Sequence, residues 1–168
     1  MSNHERQIGY VGLGSNMGDA RANLLQAVAA LDATPGMAVA AMSDVFRTEP
    51  QGRRDQDWFL NMVVRIEASA RFSPEDVLDA LDRIEQRMGR VRSVVWGPRQ
   101  IDLDLLLLDG ITYHSSRLIL PHPRMHERAF VLVPLRQVAP DVLIRGQRPE
   151  QWLSGLDHTV DGDRIWQA

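Results

Sequence analysis

The run Asp102-Leu103-Asp104-Leu105-Leu106-Leu107-Leu108 limits the folds open to this chain more than any other stretch. It is too apolar for a surface segment and too short for a helix, and it reads as a strand with both faces covered, which predicts a central place in a sheet. Side chains alternate along a strand, so Asp102 and Asp104 share one face with their Cβ atoms roughly 7 Å apart. The alternation puts Leu106 and Leu108 on the aspartate face and Leu103, Leu105 and Leu107 on the other. Two acids at the mouth of a buried strand are costly unless something positive neutralises them. Their spacing suits oxygen ligands of one or two hard divalent cations, and it also fits a solvated acid pair at a strand start.

The neighbours favour the first reading. Between Gly89 and Phe130 the sequence places six arginines and three histidines around the two acids. Carboxylates that hold Mg²⁺ and planar guanidinium forks that bind phosphate oxygens together make a nucleotide phosphate site. All 19 basic residues are arginine, which excludes a P-loop lysine, a Schiff-base lysine and a lysine general base. The absence of cysteine excludes disulfides, a thiolate nucleophile and cysteine zinc sites. A net charge of -3 and a pI near 5.9 give no general basic field, so no nucleic-acid partner is expected. The polar start Met1 to Gln7 has no signal-peptide pattern and no apolar run approaches a membrane span, so a soluble, cytoplasmic protein without a membrane partner is expected. A length of 168 residues predicts one domain over 1–168, expected to act as a monomer.

Taken in order, Ile8 to Leu13 reads as a strand and leads through Gly14-Ser15-Asn16-Met17-Gly18 into a helix capped by Asp19, with Leu24, Val28 and Leu31 on its buried stripe. This glycine pattern misses the dinucleotide fingerprint, because its third glycine comes one residue late; a tight turn is the better reading. Met37 to Thr48 is extended, and a long polar loop follows to Asp57. Phe59 to Ala68 alternates with Leu60, Met62, Val64 and Ile66 toward the core. Phe59 and Asn61 take the opposite face, where an aromatic plate beside an amide suits a flat heterocycle or packs beneath the loop. Ser73, Pro74 and Asp76 start a second helix with a capping box, which buries Val77, Leu81, Ile84 and Met88 and stops at Gly89. A second long connection carries Arg90, Arg92 and Arg99 to the aspartates. Phe130 to Val138 reads as a short helix; beyond Asp141, Trp152, Leu153 and Trp166 read as cover for the core. The βαββαβ order predicts a ferredoxin-like α+β fold, an antiparallel sheet with helices packed on it.

The segments Gly12 to Asn16 (GLGSN), Phe46 to Pro50 (FRTEP), Asp55 to Asn61 (DQDWFLN), Gly89 to Arg92 (GRVR), Trp96 to Asp104 (WGPRQIDLD) and Pro121 to Phe130 (PHPRMHERAF) together resemble the 6-hydroxymethyl-7,8-dihydropterin pyrophosphokinase family of folate biosynthesis. The resemblance runs from about Ile8 to Pro140, in the family's order. It implies transfer of a pyrophosphoryl group from ATP to the pterin hydroxymethyl, with release of AMP. Asp102 and Asp104 match the magnesium-binding aspartates, with two Mg²⁺ ions expected and ATP as co-substrate. Arg90 and Arg99 match phosphate-contacting loop arginines and, with the aspartates, make up the implied catalytic set. Arg117, His122 and Arg128 match nucleotide contacts. Phe59 and Phe130 match the aromatics that sandwich a reduced pterin, Thr48 and Asn61 its polar contacts, and Trp96 a residue of the loop that closes over the substrates. The two long loops would then be lids. A ferredoxin-like module that senses a small metabolite without turning it over is the alternative from a different class.

Overall fold

The computed structural model describes residues 5–49, 57–89 and 100–168. Strand β1 (Arg6–Ser15) leads to helix α1 (Ala20–Asp32), then β2 (Met37–Met42), β3 (Phe46–Thr48) and β4 (Phe59–Ser69). Helix α2 (Pro74–Arg87) and strand β5 (Asp102–Leu108) follow, then a small hairpin of β6 (Tyr113–His114) and β7 (Ile119–Leu120). A 3-10 turn (Met125–Glu127), α3 (Ala129–Val138), α4 (Pro149–Ser154), β8 (His158–Asp161) and β9 (Arg164–Gln167) complete the chain. The two long connections read as lids fall largely in 50–56 and 90–99, outside the described residues.

The seven-stranded sheet has the order β5-β1-β4-β3-β9-β8, and β2 pairs the other half of β4. β3 runs along Phe59 to Asn61 and β2 along Val64 to Ala68, so the two share one strand position interrupted at Ser43 to Val45. With that interruption, the βαββαβ core is the ferredoxin-like arrangement expected from the sequence. Its pairs β1 with β4, β1 with β5, and β4 with β2 and β3 are all antiparallel; β9 joins β3 in parallel.

Local chemistry sets the helix starts. Asp19 Oδ1 accepts the Ala22 N–H at 3.1 Å at the head of α1. At α2, Ser73 Oγ accepts the Asp76 N–H at 3.1 Å and Asp76 Oδ2 accepts the Ser73 N–H at 2.9 Å, the reciprocal capping box read from the sequence. Both helices pack on one face of the sheet, where Leu24, Leu31, Val77, Leu81 and Ile84 meet Val11, Leu13, Met62, Val64 and Ile66. Each fully buried leucine or isoleucine contributes about 2 kcal/mol. On the other face α3 and α4 cover Tyr10, Phe46, Val63, Leu106 and Leu107 with Val131, Leu132, Leu135 and Leu153.

Two expectations for β5 are corrected. It is an edge strand, bonded along one side to β1. Its outer side is satisfied by other means: Glu85 Oε1 on α2 accepts the Leu103 N–H at 2.8 Å, and the His122 N–H reaches the Leu106 carbonyl at 2.9 Å. A run of leucines reports that both faces are covered but carries no information about edges. The alternation also breaks, because the register shifts opposite Tyr10 and Val11. Leu107 therefore joins Leu106 under α3, and Leu108 packs with Leu103 and Leu105 under α1 and α2.

The C-terminal segment does more than cover the core. β8 and β9 form a hairpin that extends the sheet, and Ile165 is buried beside Leu153 beneath α3. Trp166 stands edge-on to Trp58, with ring centroids 5.7 Å apart and planes at 87°.

Candidate functional site

The register of the sheet assembles the site. Residues directly opposite in neighbouring strands project to the same face. Gly14 of β1 faces Asp102 of β5 on one side and Asn61 of β4 on the other, and Asn61 faces Phe46 of β3. One step along each strand pair, Gly12 lies between Asp104 and Val63, and Phe59 lies opposite Thr48. Asp102, Asp104, Gly12, Gly14, Asn61, Phe59 and Thr48 thus line one face of four adjacent strands, on the side where α3 covers only part of the sheet.

Two alternate glycines give this face a flat floor. β1 extends to Ser15, so Gly14 joins Gly12 inside the strand and does not open the turn expected from the sequence. The turn itself comes later, at Gly18 with φ +61. A Cβ on Gly14 would stand 2.7 Å from Asn61 Oδ1 and 3.8 Å from Phe59 Cδ1. Glycine at this point is what lets the Asn61 amide lie across the strand. Asn61 Nδ2 donates to Thr48 Oγ1 at 2.6 Å, and Thr48 is 4% exposed. The amide is held through one donor, and its remaining groups are fixed in direction. Past the floor, Ser15 and Asn16 are buried, and Asn16 Nδ2 donates to the Asp57 carbonyl at 3.1 Å, tying the exit of β1 to the approach of Phe59.

A cationic wall stands beside the acids. Arg128, at the head of α3, interacts electrostatically with Asp104 and Arg124. Burial pulls its pKa down, and the Asp104 carboxylate works in the opposite direction. Its guanidinium carbon lies 5.6 Å from the centroid of the half-buried Phe130 ring. Burial, then the charges of Arg128 and Arg124, hold the pKa of His122 down at about 4. Its Nδ1 accepts the Arg124 N–H at 3.2 Å. The ring is therefore neutral at pH 7 with its hydrogen on Nε2, a donor that brings no extra charge among arginines.

The structure thus brings Asp102, Asp104, Thr48, Phe59 and Asn61 onto one face and sets His122, Arg128 and Phe130 beside it. Arg117 is paired with acids of α2. Its guanidinium binds Asp79 at 2.6 Å and Glu75 at 3.5 Å, carboxylates of α2, with Asp82 at 3.6 Å. Arg90, Trp96 and Arg99 lie outside the described residues. Sequence reasoning missed Gly14 as a floor residue, although glycines at alternate positions of a strand are themselves a signal of close approach by another group. It also missed Glu85, 3% exposed, whose carboxylate holds the backbone between the two aspartates.

Among the described residues no group of three or more acid or histidine side chains is placed to hold a metal ion. The donor set is two carboxylates on one strand face, half-exposed at Asp102 and exposed at Asp104. That set fits Mg²⁺, which keeps several waters and takes one or two carboxylates together with substrate phosphates.

The sequence model of the 7,8-dihydro-6-hydroxymethylpterin-pyrophosphokinase (HPPK) family matches residues 10–140. The chain is 49% identical over 148 residues to the 2-amino-4-hydroxy-6-hydroxymethyldihydropteridine pyrophosphokinase of Methylorubrum extorquens, covering 88% of this chain and 92% of that protein. It is 40% identical to the protein of the same name in Bacillus subtilis, over 95% of this chain and 90% of the relative. Among solved structures, a Plasmodium falciparum HPPK-DHPS chain superposes with a TM-score of 0.68 at 12% identity, over 98% of this chain and 51% of that one. The chain spans about half the length of such solved chains, and at this identity the likeness shows the fold.

Proposed function

This chain belongs to the 7,8-dihydro-6-hydroxymethylpterin-pyrophosphokinase family, and from that premise we propose how its residues carry out the reaction. Enzymes of the family transfer pyrophosphate from ATP to the hydroxymethyl group of 6-hydroxymethyl-7,8-dihydropterin in folate biosynthesis, and this chain is an ATP-using transferase of that kind. The pterin ring lies against Phe59, with Phe130 on its other side. Asn61, braced by Thr48, reads the ring's polar edge. Trp96 is assigned to the pterin by its match to the family. ATP lies along the arginine wall, with its phosphates toward Arg90, Arg99, Arg128 and the Nε2 hydrogen of His122; Arg117 completes the nucleotide set.

Because AMP leaves, the bond that breaks joins the β-phosphorus to the oxygen bridging it to the α-phosphate. The bond that forms joins the hydroxymethyl oxygen to the same phosphorus, and the hydroxymethyl proton is lost. Such a transfer needs positioning and charge stabilisation more than covalent help. The arginines bind phosphate oxygens and the sheet face orients the pterin. Asp102 and Asp104 would hold two Mg²⁺ ions, whose charge, when bound, neutralises phosphate oxygens. A pI near 5.9 supports an enzyme that works without a nucleic-acid partner; we place it in the cytoplasm as a monomer.

The observation that carries this reading is the register that puts Asp102, Gly14 and Asn61 side by side across three strands. An acid pair and a pterin-sized platform thereby share one face. The test is to mix the purified protein with Mg-ATP and 6-hydroxymethyl-7,8-dihydropterin and separate the nucleotides. AMP formed only when the pterin is present supports the reading. ADP, or no turnover while pterin still binds, overturns it in favour of an ordinary kinase or a sensor.

A further inference from the structure

The segment beyond residue 140 lies outside the match to the family, yet it ends against the site. Gln167, in β9, makes two hydrogen bonds with its side-chain amide. Its Oε1 accepts the Ala129 N–H at 2.8 Å and its Nε2 donates to the Glu127 carbonyl at 2.6 Å. These two backbone groups flank Arg128 on either side. The amide thus brackets one residue of the chain as a neighbouring strand would, and fixes the peptide planes before and after Arg128. The Arg128 backbone is also held locally, its N–H donating to the Met125 carbonyl at 3.3 Å and its carbonyl accepting from Val131 and Leu132, but Arg128 occupies the N-cap position of α3 and its own side chain does not cap that helix, so the Ala129 N–H depends on Gln167. Free N–H groups at a helix start leave the first turn prone to fray. The bracket is itself anchored, since β9 pairs with β3 and β8, Ile165 is buried, and Trp166 packs on Trp58.

We propose that Gln167 is a positioning residue for Arg128: by clamping the backbone on both sides of it, Gln167 holds the guanidinium between Asp104 and Phe130 for the nucleotide phosphates. This rests on the reading of Arg128 as a phosphate contact. A clamp of this kind acts on binding and orientation of ATP. Of the pterin contacts, Phe59, Asn61 and Thr48 are built on β3 and β4, and only Phe130, in the first turn of α3, lies near the clamp. Arg128 itself remains in Gln167→Ala, so the expected effect is a weakened contact and not a lost one. A phosphate contact weakened but not lost reads as about a tenfold rise in KM for ATP, about 1.4 kcal/mol.

The experiment is a double-mutant cycle on the full chain with Gln167→Ala, Arg128→Ala and the pair, reading KM for ATP, KM for the pterin and thermal melting. Gln167→Asn, which keeps the amide but is too short to reach both groups, serves as a second probe of the bracket. The expected result is a raised KM for ATP in Gln167→Ala and Gln167→Asn, a clearly smaller rise in KM for the pterin through Phe130, and no further rise in KM for ATP when Gln167→Ala is added to Arg128→Ala. If Arg128→Ala raises KM for ATP and Gln167→Ala does not, the clamp is refuted while the nucleotide reading stands. Equal rises in both KM values, or full additivity in the pair, would make Gln167 a general structural residue and refute the clamp. If Arg128→Ala leaves KM for ATP unchanged, the nucleotide reading of Arg128 has failed first.

Discussion

Gly14→Ala tests the platform by adding a single methyl group. The new Cβ would lie 2.7 Å from Asn61 Oδ1, closer than van der Waals contact permits. Backbone movement is the harder escape, because Gly14 is paired to Asn61 on one side and Asp102 on the other. The Asn61 side chain therefore rotates away and breaks its 2.6 Å bond to Thr48. A lost hydrogen bond costs about 1 kcal/mol. Restricting the unfolded chain by replacing glycine with alanine returns about 0.4–1 kcal/mol. The two nearly cancel, so the melting temperature should fall by no more than about 3 °C in a chain of this size. Pterin recognition has no such offset. On the proposed placement of the pterin, a displaced Asn61 amide gives up its contact with the ring, and about 1.4 kcal/mol there is a tenfold rise in KM for the pterin. The assay is AMP release at saturating Mg-ATP with the pterin varied, alongside a thermal melt and the reverse titration of ATP. Unchanged KM for the pterin, or an equal rise for both substrates, would refute the claim that Gly14 exists to make room for Asn61.

Glu85→Ala should lower stability by about 1–3 kcal/mol, because it strips the acceptor from the buried Leu103 N–H. Glu85→Gln keeps an acceptor oxygen and should lose much less by chemical denaturation; equal losses would show that charge, not the acceptor, is what the site needs. His122 makes stability depend on pH. Its folded pKa of about 4 lies below the ordinary 6.5, so the unfolded chain takes up a proton first as pH falls, and stability drops between about pH 6.5 and 4. The full conversion is about 3 kcal/mol, and partial solvent access brings it nearer to about 2. Across that range the wild type should lose about 2 kcal/mol relative to His122→Gln in denaturation experiments as pH falls; curves that stay parallel would refute the assignment.

The parts of the site that sit on alternating strands were legible in the sequence. A period of two puts Asp102 with Asp104 and Phe59 with Asn61, whatever the rest of the chain does, and the register then joins the two pairs. The caps of α1 and α2 were legible for the same reason: Asp19, Ser73 and Asp76 act within one turn. What escaped depends on contacts distant in the chain. That β5 lies at an edge is hidden because Glu85, 18 residues away, takes the place of a neighbouring strand. The bulge opposite Tyr10 and Val11 reverses the faces of Leu107 and Leu108 without leaving a mark in a run of leucines. Gly14 looks like a turn residue until Asn61 is seen lying over it. Gln167 carries no motif at all; its role exists only because β9 returns to the head of α3. Arg117 shows the converse, a motif arginine that the fold engages with the acids of α2.

The central claim is that one sheet face holds an acid pair for the metal and, two strands away, a separate platform for the pterin. The most direct test is to measure pterin-dependent AMP release and pterin binding together in Asp102→Ala and Asp104→Ala. The account predicts that turnover is lost in both while the pterin binds as in the wild type and the fold melts as a single unit. Near-wild-type AMP release from either variant would contradict it.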